Sequence, residues 1–220
     1  MLDNFSSRFR GVGFAKVHSQ ALLLASLLLS ACTVSGERAL QEAGLRGFTP
    51  PEPFEKVDFT LTGTDGNEFS FRDETDGYLT LLFFGYTHCP DVCPLHLANI
   101  GAVLKQLSPE LSGQVKVVFV TTDPERDTPE RIEEWLLNFH NEFIGLTGTL
   151  DEVNDIQEAL GLGRAYREEW PTGGYGMAHS ARVLAFTADN LGRASYPFGT
   201  RQEDWAHDLP VLISAFEGSQ

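Results

Sequence analysis

The chain has 220 residues, 42% of them hydrophobic and 21% charged, with 16 basic against 31 acidic side chains and a formal charge of −15 at pH 7. That length suits one domain with a single core, and the acidic excess argues against nucleic acid as a partner while leaving a basic protein surface admissible. Cysteine is scarce, three residues in all, so each is read by its position.

Residues 1–31 have the plan of an export leader. Arg8, Arg10 and Lys16 form a basic region, and the apolar run from Ala21 to Leu29 is too short to span a bilayer comfortably. Leu29-Ser30-Ala31-Cys32 resembles the bacterial lipobox, which implies a lipid on Cys32 at the mature N-terminus. The plainer alternative is an ordinary signal peptide followed by a stray cysteine. The expected location is therefore extracytoplasmic, anchored on the outer face of the cytoplasmic membrane, with the outer membrane as the other choice. Taking Arg8, Arg10, Lys16 and Asp3 away leaves 13 basic and 30 acidic residues, a charge near −17. Residues 32–53 lack periodicity and end in Thr49-Pro50-Pro51-Glu52-Pro53, so they read as a tether, and residues 54–220 as the folded domain.

Val57 to Thr62 and Glu68 to Phe71 alternate about the turn Gly63-Thr64-Asp65-Gly66-Asn67 and predict an opening hairpin. Tyr78 to Phe84 is a short, aromatic-rich apolar run bounded by Gly77 and Gly85, which predicts a buried central strand. Cys89 and Cys93 leave its end. Pro94 suits the first position of a helix whose apolar set is Leu97, Ile100, Leu104 and Leu107. Val115 to Val120 follows as a second buried strand, and strand–helix–strand implies parallel pairing. Thr128 is placed to cap a helix begun by Pro129, with Ile132, Trp135, Leu136 and Phe139 on its inner face. Thr149 and Glu152 have capping-box spacing before a helix that Gly161 and Gly163 end. The loop Thr172 to His179 delivers the chain to a strand over Ala181 to Phe186, which turns back through Ala188-Asp189-Asn190-Leu191-Gly192 into Arg193 to Tyr196. A last helix begins near Thr200, with Glu203 three positions on, and Pro210 is expected to kink or interrupt it.

These elements predict an α/β, thioredoxin-like fold with an N-terminal β-hairpin and helices flanking a central mixed sheet. The dithiol carries the chemistry. At a helix N-terminus, unpaired N–H groups and the helix dipole favour a thiolate, and Cys93 is the residue the sequence places there. A purely structural disulfide is the competing reading, but a bridge closing so short a loop restrains little of the unfolded chain. Electron exchange and metal binding remain. Dithiol oxidoreductases of this fold typically carry Cys-x-x-Cys and a proline before the facing strand. Here that position reads Met177-Ala178-His179. In that fold the imidazole of His179 is expected to face both thiols, and two thiolates with one imidazole suit Cu(I) while admitting Cu(II). Zinc would accept the same donors, although its structural sites normally have four. His88 is expected to point away from Cys89 and Met177 to pack; His96, three positions beyond Cys93 on the helix, is expected to face solvent, with support of the site as its alternative.

Gly85-Tyr86-Thr87-His88-Cys89-Pro90-Asp91-Val92-Cys93-Pro94, then Asp123-Pro124-Glu125-Arg126-Asp127-Thr128-Pro129-Glu130, then His179-Ser180, resemble the SCO/SenC family of copper-binding assembly proteins. The resemblance implies copper held by Cys89, Cys93 and His179, and delivery to, or thiol reduction at, the binuclear centre in the copper-containing subunit of a respiratory oxidase. Other copper chaperones or thiol reductants would then be further partners. Asp123 and Asp127 match the family's acidic motif, where support of the site or partner docking is expected, with helix capping the alternative for Asp127. Family members often have an acidic residue where this chain has Ala178. The leading expectation is a membrane-tethered metallochaperone rather than a catalyst. The runner-up is a thiol–disulfide oxidoreductase acting through the redox-active pair Cys89 and Cys93 on an exported oxidase subunit.

Overall fold

The computed structural model describes residues 36–216, so the expected leader and Cys32 lie outside the described residues. Helix α1 (36–43) comes first, followed by β1 (Phe54–Glu55), β2 (Thr60–Gly63), β3 (Glu68–Ser70), α2 (Phe71–Glu74), β4 (Leu79–Gly85), α3 (Val92–Leu104) and α4 (Pro109–Ser112). The second half comprises β5 (Val115–Thr121), α5 (Pro129–Leu136), β6 (Ile144–Thr147), α6 (Leu150–Ala159), β7 (Tyr166–Glu169), β8 (Tyr175–Ala178), β9 (Val183–Phe186), β10 (Leu191–Tyr196) and α7 (Gln202–Ala215).

The main sheet runs β1-β10-β9-β4-β5-β6-β2-β3 and is mixed. Its centre, β4-β5-β6, is parallel; β9 joins the free side of β4 antiparallel and β10 follows. All seven residues of β4 are buried, because the strand is covered on both faces. Leu81 and Phe83 point to a layer built from α3, α5 and α7. Leu82 and Phe84 point to the other, with Phe71 of α2 and Val153 and Ile156 of α6. Period-two alternation thus feeds two cores from one strand, and each fully buried Leu or Phe stabilises the fold by ~1.5–3 kcal/mol. This is the thioredoxin-like arrangement the sequence predicts.

Local signals hold where they are short-range. The opening hairpin pairs Leu61 with Phe69. Thr128 accepts from the Arg131 N–H with Pro129 opening α5, and Thr149 and Glu152 form a reciprocal capping box on α6. Three expectations need correction. α3 starts at Val92, two residues before Pro94. α7 is capped by Asp204, whose carboxylate accepts from the Arg201 N–H at 3.0 Å, and it continues through Pro210 to Ala215. The third concerns the expected tether. From residue 36 it is docked on the body: Leu40 is buried, the N–H groups of Arg46 and Gly47 donate to the buried Asp208 carboxylate at 2.9 Å, and Phe48 bridges Ser195. Low periodicity hid a segment held mainly by backbone bonds to a side chain far along the chain. Among the described residues no helix is long and apolar enough to cross a membrane.

Candidate functional site

β4 ends at Gly85, where a side chain has no room: a Cβ would lie 2.9 Å from both Cys93 Sγ and a ring carbon of Phe119. The strand therefore delivers the motif loop directly under the first turn of α3. Asp91 takes the N-cap position of α3 but makes no side-chain capping bond. Cys89 Sγ instead accepts the Cys93 N–H, at 3.4 Å. A thiolate there satisfies one of the unpaired donors of the helix N-terminus.

The two thiols differ sharply. Both are free; Cys89 is half-buried and Cys93 fully buried. Hydrogen bonding from the Cys93 thiol, then from His179 and from the backbone N–H groups of Cys93 and Asp91, outweighs burial and holds Cys89 down to about 4. Burial pushes Cys93 well above the ordinary thiol range, and its bond to Cys89 pushes the same way. The sequence assigns the poised thiolate to Cys93, nearer the helix start. The structure assigns it to Cys89, because helical polarity favours charge only where solvent and donors also reach the sulfur.

His179 leaves the end of β8 and reaches the same place from 86 positions away. Its Nε2 lies 3.9 Å from Cys93 Sγ, and its Nδ1 lies 2.9 Å from the Ser180 carbonyl oxygen. A carbonyl oxygen only accepts, so that contact places a proton on Nδ1 and turns Nε2 toward the thiols. Tyr86 stands edge-on to the imidazole, with ring centres 5.7 Å apart, and Phe83 closes the inner side. Two soft sulfurs and one imidazole nitrogen thus share one end of the sheet.

The surrounding polar residues hold this loop pair together. Asp127 is buried and accepts from the Thr87 N–H at 2.8 Å, the Thr87 hydroxyl at 2.6 Å and the Thr121 hydroxyl at 2.7 Å. It does not cap α5; it ties the strand end of β5 to the motif loop two residues before Cys89. Asp123 pairs with Arg126 at 2.5 Å and accepts from the Tyr175 hydroxyl at 3.1 Å, so it holds β8, the strand that carries His179. His88 is exposed and lies on the Asp127 side of the loop, 3.4 Å from that carboxylate. His88, Asp123 and Asp127 are, among the described residues, the group of three metal-capable side chains with donor atoms within 4.8 Å of one another, a tighter set than Cys89, Cys93 and His179. Arg126 and three threonine and tyrosine hydroxyls already occupy those carboxylates, however.

His96 departs from expectation. It is buried, not solvent-facing, and its Nε2 lies 3.1 Å from the Ala181 carbonyl oxygen, two residues past His179. Burial lowers its pKa, and the Ala181 carbonyl offsets part of that. A neutral His96 therefore donates to the connection between His179 and β9. Its position in α3, three residues after Cys93 and four before Ile100, is the helical spacing that puts it on the buried face. Met177 packs in the core as expected.

A family model described as SCO1/SenC matches residues 49–214. A relative from Stutzerimonas stutzeri named for copper binding is 36% identical over 162 residues, 73% of this chain and 79% of its own. A SCO2-like protein of Rickettsia prowazekii is 38% identical over 110 residues, 48% of either chain. Among solved structures, copper-bound ScoI of Bradyrhizobium japonicum superposes with a TM-score of 0.62 at 32% identity, covering 73% of this chain and 100% of that one.

Proposed function

The chain belongs to the SCO1/SenC family, and from that membership we propose that it is a membrane-tethered copper chaperone that carries copper on Cys89, Cys93 and His179 to the copper-containing subunit of a respiratory oxidase. Copper is the cargo. The observation that carries this reading is the imidazole: its free nitrogen lies 3.9 Å from a thiol sulfur while its other nitrogen is anchored to a carbonyl. That separation is roughly the one expected of two donors sharing an ion bound at about 2.0–2.3 Å. Cys89, half-buried on the loop and ionised across neutral pH, is the donor free to close on the metal. Thiolates with imidazole favour copper, and a set of three donors favours release. The oxidase target follows from the three motifs that resemble the family, and the anchor from the lipobox-like sequence before Cys32.

X-ray absorption on the copper-loaded, leaderless chain tests the ligand set, with two sulfurs and one imidazole nitrogen expected. His179→Ala should weaken copper binding by more than about 100-fold, beyond the cost typical of outer-shell changes. Unchanged affinity in that variant would remove the site.

The thiol asymmetry favours a second reading, reduction of a partner's disulfide. Cys89 thiolate would attack one partner sulfur, forming a mixed disulfide and releasing the other partner sulfur as a thiolate. Cys93, losing its proton, would then displace the first, leaving a Cys89–Cys93 disulfide and a reduced partner. A Cys93→Ser variant that traps no mixed disulfide with an oxidised oxidase subunit, yet binds copper tightly once Cys93 is restored, would discard it.

A further inference from the structure

This inference rests on the lipid anchor proposed at Cys32. β9 runs antiparallel to β4, so the last residues of β4 and the first of β9 meet at one end of the sheet, where Cys93 and His179 lie. The opposite end collects Thr80, paired with Phe186, then Thr187 and Asp189. Arg193 reaches from Thr187 and Asp189, at 2.6 and 2.7 Å, to Glu37 of α1 at 3.1 Å, and lies over the Phe216 ring. α7 starts beside α3, where Asn99 donates to the Thr200 carbonyl, and ends at that far side. There Gly36 packs so tightly that a Cβ would lie 2.6 Å from the Ala215 carbonyl oxygen. The chain therefore enters the body at the end of the sheet remote from the thiols.

The distances decide what this means. The five steps from Thr80 to Gly85 alone separate the two ends by ~17 Å. Cys32 precedes Gly36 by four residues, which reach at most ~14 Å. A body of this size is about 40 Å across, so four residues cannot run around it and lay the thiol end on the headgroups. We propose that the anchor holds the Gly36–Phe216 end against the bilayer and that the dithiol–histidine end is displayed outward. The partner that takes the copper must then present its acceptor site on a domain standing off the membrane, not at the headgroup surface.

The test uses the full lipidated chain in phosphatidylcholine vesicles carrying headgroup spin-labelled lipid. Cys89→Ser and Cys93→Ser clear the site, and a fluorophore is attached through Glu74→Cys, exposed at the far end, or Leu95→Cys, exposed beside the motif. The Glu74→Cys probe should be quenched at least about threefold more strongly, given the ~17 Å offset. Inserting twenty Gly/Ser residues after position 35, with a reach of roughly 25 Å, should bring the two within about a factor of 1.5. Equal or stronger quenching of the Leu95→Cys probe, with the lipid on Cys32 established by mass, overturns the orientation and leaves the anchor and the copper site standing. A purified chain without lipid on Cys32 removes this inference together with the anchor.

Discussion

At the scale of single residues, the site works by making two identical thiols unlike. Cys89 takes the place of a capping side chain at α3, while Cys93 is shut beneath Gly85 and Phe119. Because the folded pKa of Cys89 is depressed to about 4, its thiolate persists on the acid side of neutrality and disappears only as pH falls through that value. Iodoacetamide should therefore modify Cys89 at a nearly constant rate between pH 8 and 5 and ever more slowly towards pH 4, with Cys93 spared, as peptide mapping would report. An ordinary thiol would lose most of its rate already on going from pH 8 to 7. The spacing of the two cysteines was visible in the sequence. Which one ionises was not, since this depends on burial and on donors contributed by His179 from another loop.

At the scale of elements, the site is a junction of the β4–α3 loop, the β5–α5 loop and the end of β8. Asp127 binds the first two through three donors, and Asp123 with Arg126 binds the second to the third. Asp127→Ala strands buried hydrogen-bond donors and should cost about 3 kcal/mol in urea unfolding. His96 acts at one remove, through the Ala181 carbonyl. His96→Phe keeps the ring volume beside Phe83 and Trp205 but not the hydrogen bond, so copper affinity should fall roughly tenfold, as for other outer-shell losses, while the sulfur count by X-ray absorption stays the same. Helix caps at Thr128 and Thr149 were legible because a cap is a contact over three residues. β8 falls inside the stretch Thr172 to His179 that the sequence presents as a glycine-rich loop, and its partner β7 gives no signal, because Tyr166 to Glu169 is exposed throughout and has no apolar alternation to announce a strand.

At the scale of the whole molecule, the N-terminal arm is part of the body and fixes where the chain enters it. Asp208, fully buried on α7, gathers the Arg46 and Gly47 N–H groups and the Tyr196 hydroxyl, each with one contact at 2.9 Å. Asp208→Ala removes the common acceptor. It should lower stability by about 3 kcal/mol and make the segment around Arg46 a preferred site of limited proteolysis. An arm that is cut no faster in the variant would mean that Leu40 and the Phe48 bridge suffice to hold it.

The sequence by itself determined the local units: the buried strand before the dithiol, the parallel second strand, two helix starts, the terminal hairpin, and three motifs whose order and spacing pointed to one family. Those features depend on patterns a few residues long, with side-chain periodicity and capping chemistry as their cause. Only the tertiary structure decided that Cys89 carries the charge, that His96 is buried beneath the connection that follows the imidazole, and that the arm from residue 36 starts at the end of the sheet opposite the thiols. Each of these turns on solvent exclusion and on groups brought together from 85 to 162 positions apart, which no short stretch of sequence encodes.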